Sequence, residues 1–141
     1  MKKGLLFLVT ILCLSLVLTG CAKKKTLTCT QKESTMEESM VIVYKGDKIE
    51  KGSMSIVMDF TQYKDYIDEL KKQDYCKELK EGGESFSKAI KNCEAKWDDA
   101  KLNVKLTLDA KALTEEDDFK EKTIEEVKKS LEKEGATCTI K

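Results

Sequence analysis

The sequence predicts an α+β domain: an antiparallel β-sheet of about five to six strands with helices on one face, in the order βββαββα(β), after an N-terminal signal helix. Several segments alternate apolar and polar residues with the period of two that is typical of half-buried strands. Two other segments space their apolar residues three or four positions apart, as amphipathic helices do. The strands are grouped and do not alternate regularly with helices, which favours antiparallel pairing.

Three strands are predicted first, beginning at Thr26. Residues 33–38 are polar and predict a loop, residues 40–44 predict the second strand, and Gly46 predicts a tight turn after it. The third strand is expected over residues 49–60. The apolar faces of the first and third strands are formed by Leu27 and Cys29 and by Met54, Ile56, Met58 and Phe60.

A helix is predicted next, with Thr61 as its N-cap and Gly82-Gly83 as its end. A hairpin follows, with strands over residues 93–97 and 102–108 and a turn over residues 98–101. The apolar stripe of the helix comprises Tyr63, Tyr66, Ile67, Leu70, Tyr75, Cys76 and Leu79, and the inward face of the fourth strand comprises Cys93, Ala95 and Trp97.

The last part of the chain predicts two helical turns and a short strand. Thr114, followed by Glu115, Glu116 and Asp117, is expected to open a helix. Thr123 and Glu126 form a capping-box pattern before a second helical segment, which Gly135 ends. Its buried stripe comprises Ile124, Val127 and Leu131, and residues 136–141 form the final strand.

The N-terminal segment has the parts of an export signal, because Lys2 and Lys3 precede an apolar core over residues 4–18. The core ends in Leu18-Thr19-Gly20-Cys21, which resembles a bacterial lipobox. This resemblance implies cleavage before Cys21 and lipidation of its sulfur, with palmitate among the expected acyl groups. The mature protein is then expected to be anchored in the cell membrane and to face its extracytoplasmic side.

The predicted organisation is a lipoprotein signal peptide at residues 1–20, a lipidated tether at residues 21–25 and a single extracytoplasmic domain at residues 26–141. A retained transmembrane helix is the first alternative, although only about 15 residues are continuously apolar and a span needs roughly 20. The second is an ordinary secretory signal with a chance cysteine, but such signals end in small residues of the Ala-x-Ala kind.

Composition excludes several function classes. All 26 basic residues are lysines, and the chain has no histidine and no proline. Without residues 1–20, 24 lysines oppose 26 acids, so no strongly basic surface for nucleic acid is expected. The absence of histidine argues against most hydrolase constellations and the usual zinc sites, and the absence of arginine removes bidentate anion recognition.

Four cysteines follow Cys21. An even number in an exported domain predicts two disulfides. A four-thiolate zinc site is the alternative, but no two of these cysteines are closer than 17 residues, and such sites contain close pairs. Of the three connectivities, the one we favour joins first strand to last and first helix to fourth strand: Cys29 with Cys138, and Cys76 with Cys93.

Four segments of the chain resemble those of the small YehR-like bacterial lipoproteins, which carry a domain of unknown function. These segments are the lipobox, the run from Thr26 to Thr30, the Tyr44 to Lys48 hairpin and the strand from Leu102 to Leu108. The resemblance implies a lipid-anchored envelope protein and transfers no catalytic residue. The family does not depend on four cysteines in this domain, so the disulfides are not implied by it.

Three residue groups could carry chemistry, and each has a structural explanation that we favour. Aromatic residues around Trp97 could line a groove between helix and sheet, but a single inward tryptophan is more often core. The acid clusters 98–99 and 115–118 could hold calcium, but they lack the EF-hand pattern. Four methionines could bind a soft metal, but two of them, Met54 and Met58, lie on the apolar face of a strand, where methionine fills gaps in the core. The residues in question are Tyr63, Tyr66, Tyr75, Trp97, Met36, Met40, Met54 and Met58.

We therefore predict no catalytic, cofactor-binding or metal-binding residue and no cofactor. The expected function is a noncatalytic binding or envelope-associated module, with the membrane as one partner and an unknown envelope component or protein as another. A small accessory envelope enzyme using carboxylates is the alternative, and a convergent acid pair in a cleft would favour it.

Overall fold

An open antiparallel sheet forms the centre of the molecule. The computed structural model describes residues 23–82 and 86–141, and within them six strands pair in the order β4-β5-β3-β2-β1-β6. The predicted α+β class and element order are confirmed. The strands are β1 (Lys24–Lys32), β2 (Met36–Lys45), β3 (Lys48–Asp59), β4 (Ile90–Asp98), β5 (Lys101–Leu108) and β6 (Thr137–Ile140).

Helices connect and cover the strands. Two 3₁₀ helices are present at Thr61–Tyr66 and Ser87–Ala89. The α-helices of the described residues are α1 (Ile67–Leu70), α2 (Tyr75–Glu81), α3 (Ala110–Glu115) and α4 (Ile124–Lys133). Among these residues, no helix combines the length and the apolar character needed to cross a bilayer.

One face of the sheet is apolar because alternate residues of every strand point toward the helices. Across β1, β2, β3 and β5, the pairing Leu27 with Ile42, Met40 with Met54 and Met54 with Leu106 places successive apolar side chains side by side. The opposite face is mostly polar and also carries Val41, Val43 and Val57. Side chains of β2, β5, α3 and α4 that are less than 2 % exposed include Ile42, Tyr44, Leu102, Val104, Leu113, Ile124 and Val127.

The predicted capping box of α4 is confirmed. The backbone N–H of Glu126 donates to Thr123 Oγ1, and the backbone N–H of Thr123 donates to the Glu126 carboxylate. Ile124, Val127 and Leu131 are buried as predicted. Gly135 follows the helix with a φ of 104°, a left-handed conformation in which glycine has no steric penalty.

The predicted start of α3 at Thr114 is wrong. Asp109 is the N-cap, since its carboxylate accepts a hydrogen bond of 2.9 Å from the Ala112 backbone N–H. Thr114 lies in the last turn, where its hydroxyl donates to the Lys111 carbonyl. An Asp directly after the last residue of a strand competes effectively for the N-cap position.

The long helix predicted from Thr61 is also wrong. Asp59 accepts hydrogen bonds from both the backbone N–H and the hydroxyl of Thr61, so Thr61 does not cap a helix. Tyr63 then departs from helical dihedrals, and Asp74 caps α2 separately. Gly82 ends α2 as predicted.

Two strand boundaries also differ from prediction. The loop predicted at residues 33–38 is shorter, because β2 begins at Met36. β1 begins at Lys24, so the last two residues of the predicted tether belong to the sheet. The predicted signal peptide at residues 1–20, Cys21 and Gly83 lie outside the described residues.

Candidate functional site

An aromatic cluster lies at the end of the sheet where β3 ends and β4 turns into β5. The Trp97 ring centroid is 5.4 Å from that of Phe60 and 6.0 Å from that of Tyr75. The Lys71 Nζ lies 5.9 Å from the Trp97 ring centroid, within the range of a cation–π contact. We call these three rings, together with Tyr63 and Tyr66 of the 3₁₀ helix that follows Phe60, the aromatic cluster.

Three local features bring the cluster together. Trp97 points to the helical side of edge strand β4, where it faces Leu102 across the hairpin. The disulfide between Cys76 and Cys93 ties α2 to β4 and places Tyr75 beside Trp97. The hydrogen bonds between Asp59 and Thr61 turn the chain immediately after β3, which leads Phe60 onto the same ring.

Part of the aromatic cluster is open to solvent. Tyr63 is 53 % exposed and Tyr66 is 66 % exposed, whereas Trp97 is half-buried against the core. The prediction that Trp97 is a core residue is therefore right about the side to which the ring points, but it overstates the burial of the ring. The reason is that the part of the chain described by the structure places no long helix over the end of β4. The Tyr75 hydroxyl is buried without a hydrogen-bond partner among the described residues, and burial raises its pKa.

A second candidate site lies between α4 and the apolar face. A cavity of about 170 Å³ there is lined by polar and apolar side chains from the sheet, the segment after α3 and the end of α4. Gln31 and Glu38 reach it from the inward faces of β1 and β2. Neither residue is predicted from the sequence as a site residue, although extending the alternation backward from Met40 places Glu38 inward. The lining residues include Gln31, Glu38, Met54, Asp118 and Glu134.

The predicted acid clusters occupy turns. Asp98 ends β4 and Asp99 forms the hairpin turn with a φ of 52°. Glu115 ends α3, and the carbonyl of Glu116 accepts hydrogen bonds from Phe119 and Lys120. Within residues 23–82 and 86–141, no group of three or more acids or cysteines is placed to hold a metal ion.

The four methionines considered as soft-metal ligands share the apolar face. Met36 pairs with Met58, and Met40 pairs with Met54, across β2 and β3. Met40 is buried, and the others pack against the core. Their arrangement is that of core packing, the explanation favoured from the sequence.

Three carboxyl groups have lowered pKa values, each mainly because of hydrogen bonds. Lys24 lowers the pKa of Glu50, Thr61 lowers that of Asp59, and the backbone and hydroxyl of Thr123 lower that of Glu126. Two of these contacts form a turn and a helix cap, and the third is an ion pair at the start of the sheet.

Both predicted cysteine pairs are joined in the structure. Cys29 is bonded to Cys138 and Cys76 to Cys93. Each disulfide holds an edge strand of the sheet, since β6 and β4 are its two outermost strands.

Comparison with known proteins supports the fold. No family model matches the chain, and no curated protein matches it. The NMR structure of the YehR protein of E. coli matches with a TM-score of 0.58 and 20 % identity, over 84 % of this chain and 92 % of that chain. An NMR structure of a protein from Streptococcus pneumoniae TIGR4 gives a TM-score of 0.44 and 16 % identity, over 83 % of this chain and 84 % of that chain. The chain has a YehR-like fold.

Proposed function

We propose that this protein is a lipid-anchored, noncatalytic module of the cell envelope that binds an envelope component or a partner protein through its aromatic cluster. The anchor is the lipidated sulfur of Cys21, exposed by removal of residues 1–20 and facing the extracytoplasmic side. The lipobox Leu18-Thr19-Gly20-Cys21 and the apolar core before it support this part of the proposal.

The observation that carries the binding role is the exposure of Tyr63 and Tyr66 in the 3₁₀ helix that directly follows Phe60, whose ring packs on Trp97. Tyrosine and tryptophan combine a large apolar surface with a polar group and are enriched at the centres of interfaces. The backbone N–H of Phe60 donates to the Ala100 carbonyl, and that of Tyr63 donates to the Phe60 carbonyl, so the chain that bears the tyrosines is joined to the end of the sheet. Such a surface binds without an activated nucleophile.

The position of the aromatic cluster also suits an anchored binding module. It lies beyond the last residue of β3, whereas the first residue of β1 lies at the opposite end of the sheet. A strand of 12 residues spans about 36 Å at roughly 3.3 Å per residue. The aromatic cluster is therefore remote from the proposed lipid.

Site-specific photocrosslinking in intact cells tests this role. A photoreactive phenylalanine analogue replacing Tyr66 should give a discrete adduct, and adding Tyr63→Ser should reduce it strongly. The matched control places the same analogue at Lys105, which is exposed on the polar face of β5. Equal adducts at both positions, or none at position 66 in correctly localised protein, would overturn the binding role.

One observation favours an accessory enzyme as the second candidate: Glu38, Asp118 and Glu134 line the same cavity. Carboxylates converging on a cavity can serve as acid and base. Turnover of an envelope substrate that is lost in Glu38→Gln, with an unchanged circular dichroism spectrum, would favour this candidate over the noncatalytic module.

A further inference from the structure

Lysines are concentrated where the sheet begins. The register pairs Lys24 with Lys45 and Lys45 with Lys48, and the backbone of Lys141 pairs with Thr26. The end of the molecule containing these residues is called the basal end. Its positive side chains are Lys23, Lys24, Lys25, Lys45, Lys48, Lys51, Lys122 and Lys141. Its negative groups are the carboxyl terminus and the side chains of Asp47, Glu50, Glu121 and Glu125.

Only part of this positive charge is neutralised locally. Lys24 pairs with Glu50 at 3.0 Å and Lys25 pairs with Glu125 at 3.4 Å. The other six basal lysines make no direct ion pair with another described residue: Lys23, Lys45, Lys48, Lys51, Lys122 and Lys141.

The opposite end of the sheet has the reverse balance. Lys32 pairs with Glu37 at 3.6 Å and Lys101 lies 3.9 Å from Asp59. Further acids stand there at the β1–β2 and β4–β5 turns, namely Glu33, Asp98 and Asp99. Lys64 near Asp59 and Lys71 near Trp97 offset part of this negative charge, and acids still exceed lysines. The charge of the domain is therefore polarised along the strand direction, positive at the basal end.

We propose that the basal end docks on anionic phospholipid headgroups and holds the sheet upright on the membrane. This inference rests on the proposed anchoring through Cys21. Cys21 precedes Lys24 by three residues, a reach of about 10 Å, which is comparable to the Debye length of about 8 Å at physiological salt. Each lysine held there strengthens binding to an anionic surface about fivefold.

Docking in this orientation determines where the aromatic cluster stands. The strands then run away from the bilayer, and the aromatic cluster is displayed at the far end of the molecule. A domain tethered only by lipid would instead sample many orientations and bring the aromatic cluster toward the headgroups part of the time.

Energy transfer from Trp97 to a dansyl-labelled headgroup measures this orientation, because Trp97 is the only tryptophan of the chain. The full-length lipidated protein is reconstituted in vesicles of phosphatidylcholine alone or with added phosphatidylglycerol. Transfer should be lower in the anionic vesicles, and high salt should abolish the difference. Lys45→Gln with Lys48→Gln should remove about a third of it, since two of the six basal lysines that make no ion pair are lost.

The matched control is Lys64→Gln with Lys77→Gln, which removes two exposed lysines away from the basal end and should leave the difference unchanged. Equal transfer in both vesicle types, with the protein bound to each, would overturn the docking and leave the anchor intact. Failure to bind either vesicle type would overturn both proposals.

Discussion

Cys29 and Cys138 lie directly opposite each other in β1 and β6, with their Cα atoms 4.1 Å apart. Three positions away, the backbones of Thr26 and Lys141 form a hydrogen-bonded pair. Because hydrogen-bonded and non-hydrogen-bonded pairs alternate along an antiparallel ladder, Cys29 and Cys138 form a non-hydrogen-bonded pair, in which facing side chains are closest. The disulfide thus joins the four-residue last strand to the first strand of the domain.

We expect the two disulfides to differ in their contribution to stability. They close loops of 109 and 17 residues, for which the chain-entropy model gives about 5 and about 3 kcal/mol. Denaturant unfolding should therefore show a larger loss for Cys29→Ala with Cys138→Ala than for Cys76→Ala with Cys93→Ala. The reverse order would show that the structure of the unfolded chain, and not loop length, decides the effect.

Gly52 lies where Leu113 of α3 packs against the sheet. A Cβ atom at position 52 would lie 2.5 Å from Leu113 Cδ1 and 3.2 Å from Leu108 Cβ. Gly52→Ala should therefore lower the free energy of unfolding by about 1–3 kcal/mol through overpacking. Leu113→Ala should be destabilising alone but less so in the Gly52→Ala background. Additive effects in this double-mutant cycle would contradict the contact.

Tyr44 is 1 % exposed, and its hydroxyl has no hydrogen-bond partner among the described residues. Tyr44→Phe should leave neutral-pH stability unchanged or raise it by about 1 kcal/mol, because it removes an unsatisfied polar group.

The same hydroxyl should make stability depend on pH, since burial raises the pKa of Tyr44 to about 12. In the unfolded chain the pKa of this hydroxyl is near 10. The contribution of the protonated hydroxyl to the free energy of unfolding is therefore complete below pH 10 and is lost as the pH rises toward 12. Urea unfolding from pH 9 to 12 should show a smaller loss in Tyr44→Phe than in the parent. Equal losses of unfolding free energy in the variant and the parent would contradict a raised pKa for Tyr44.

Trp97 should contribute less to stability than a fully buried tryptophan. It is half-buried against Phe60 and Tyr75, so Trp97→Ala should cost about 2–3 kcal/mol, below the 3–5 kcal/mol typical of full burial. The emission maximum of the native protein should lie between those of buried and free tryptophan. A spectrum at either extreme would contradict this placement.

The sequence predicts the sheet better than the first helical region, for a physical reason. Alternation of polar and apolar residues sets the face of β1, β3, β4 and β5, and Met54, Ile56 and Leu106 lie on the predicted side. Apolar spacing around Tyr63 and Tyr66 resembles a helix, but the side-chain hydrogen bonds of Asp59 and Asp74 divide the segment. Such local competition depends on the conformation already adopted, which periodicity does not encode.

Candidate sites are harder to foresee because they combine distant segments. The spacing of Cys76 and Cys93 suggested the disulfide, but not that it would place Tyr75 6.0 Å from Trp97. Likewise, Asp118 and Glu134 line the same cavity as Glu38 only because α4 packs on the sheet. No local pattern of acids marks that cavity in the sequence.

Mass spectrometry of the mature protein, extracted from membranes of the organism that makes it, tests the proposed anchor most directly. The N-terminal peptide should begin at Cys21 and carry a diacylglyceryl group on its sulfur, with residues 1–20 absent, while Cys21→Ser should abolish both changes. A membrane-extracted chain that retains residues 1–20, or that begins at an unmodified Cys21, would contradict a lipid-anchored protein.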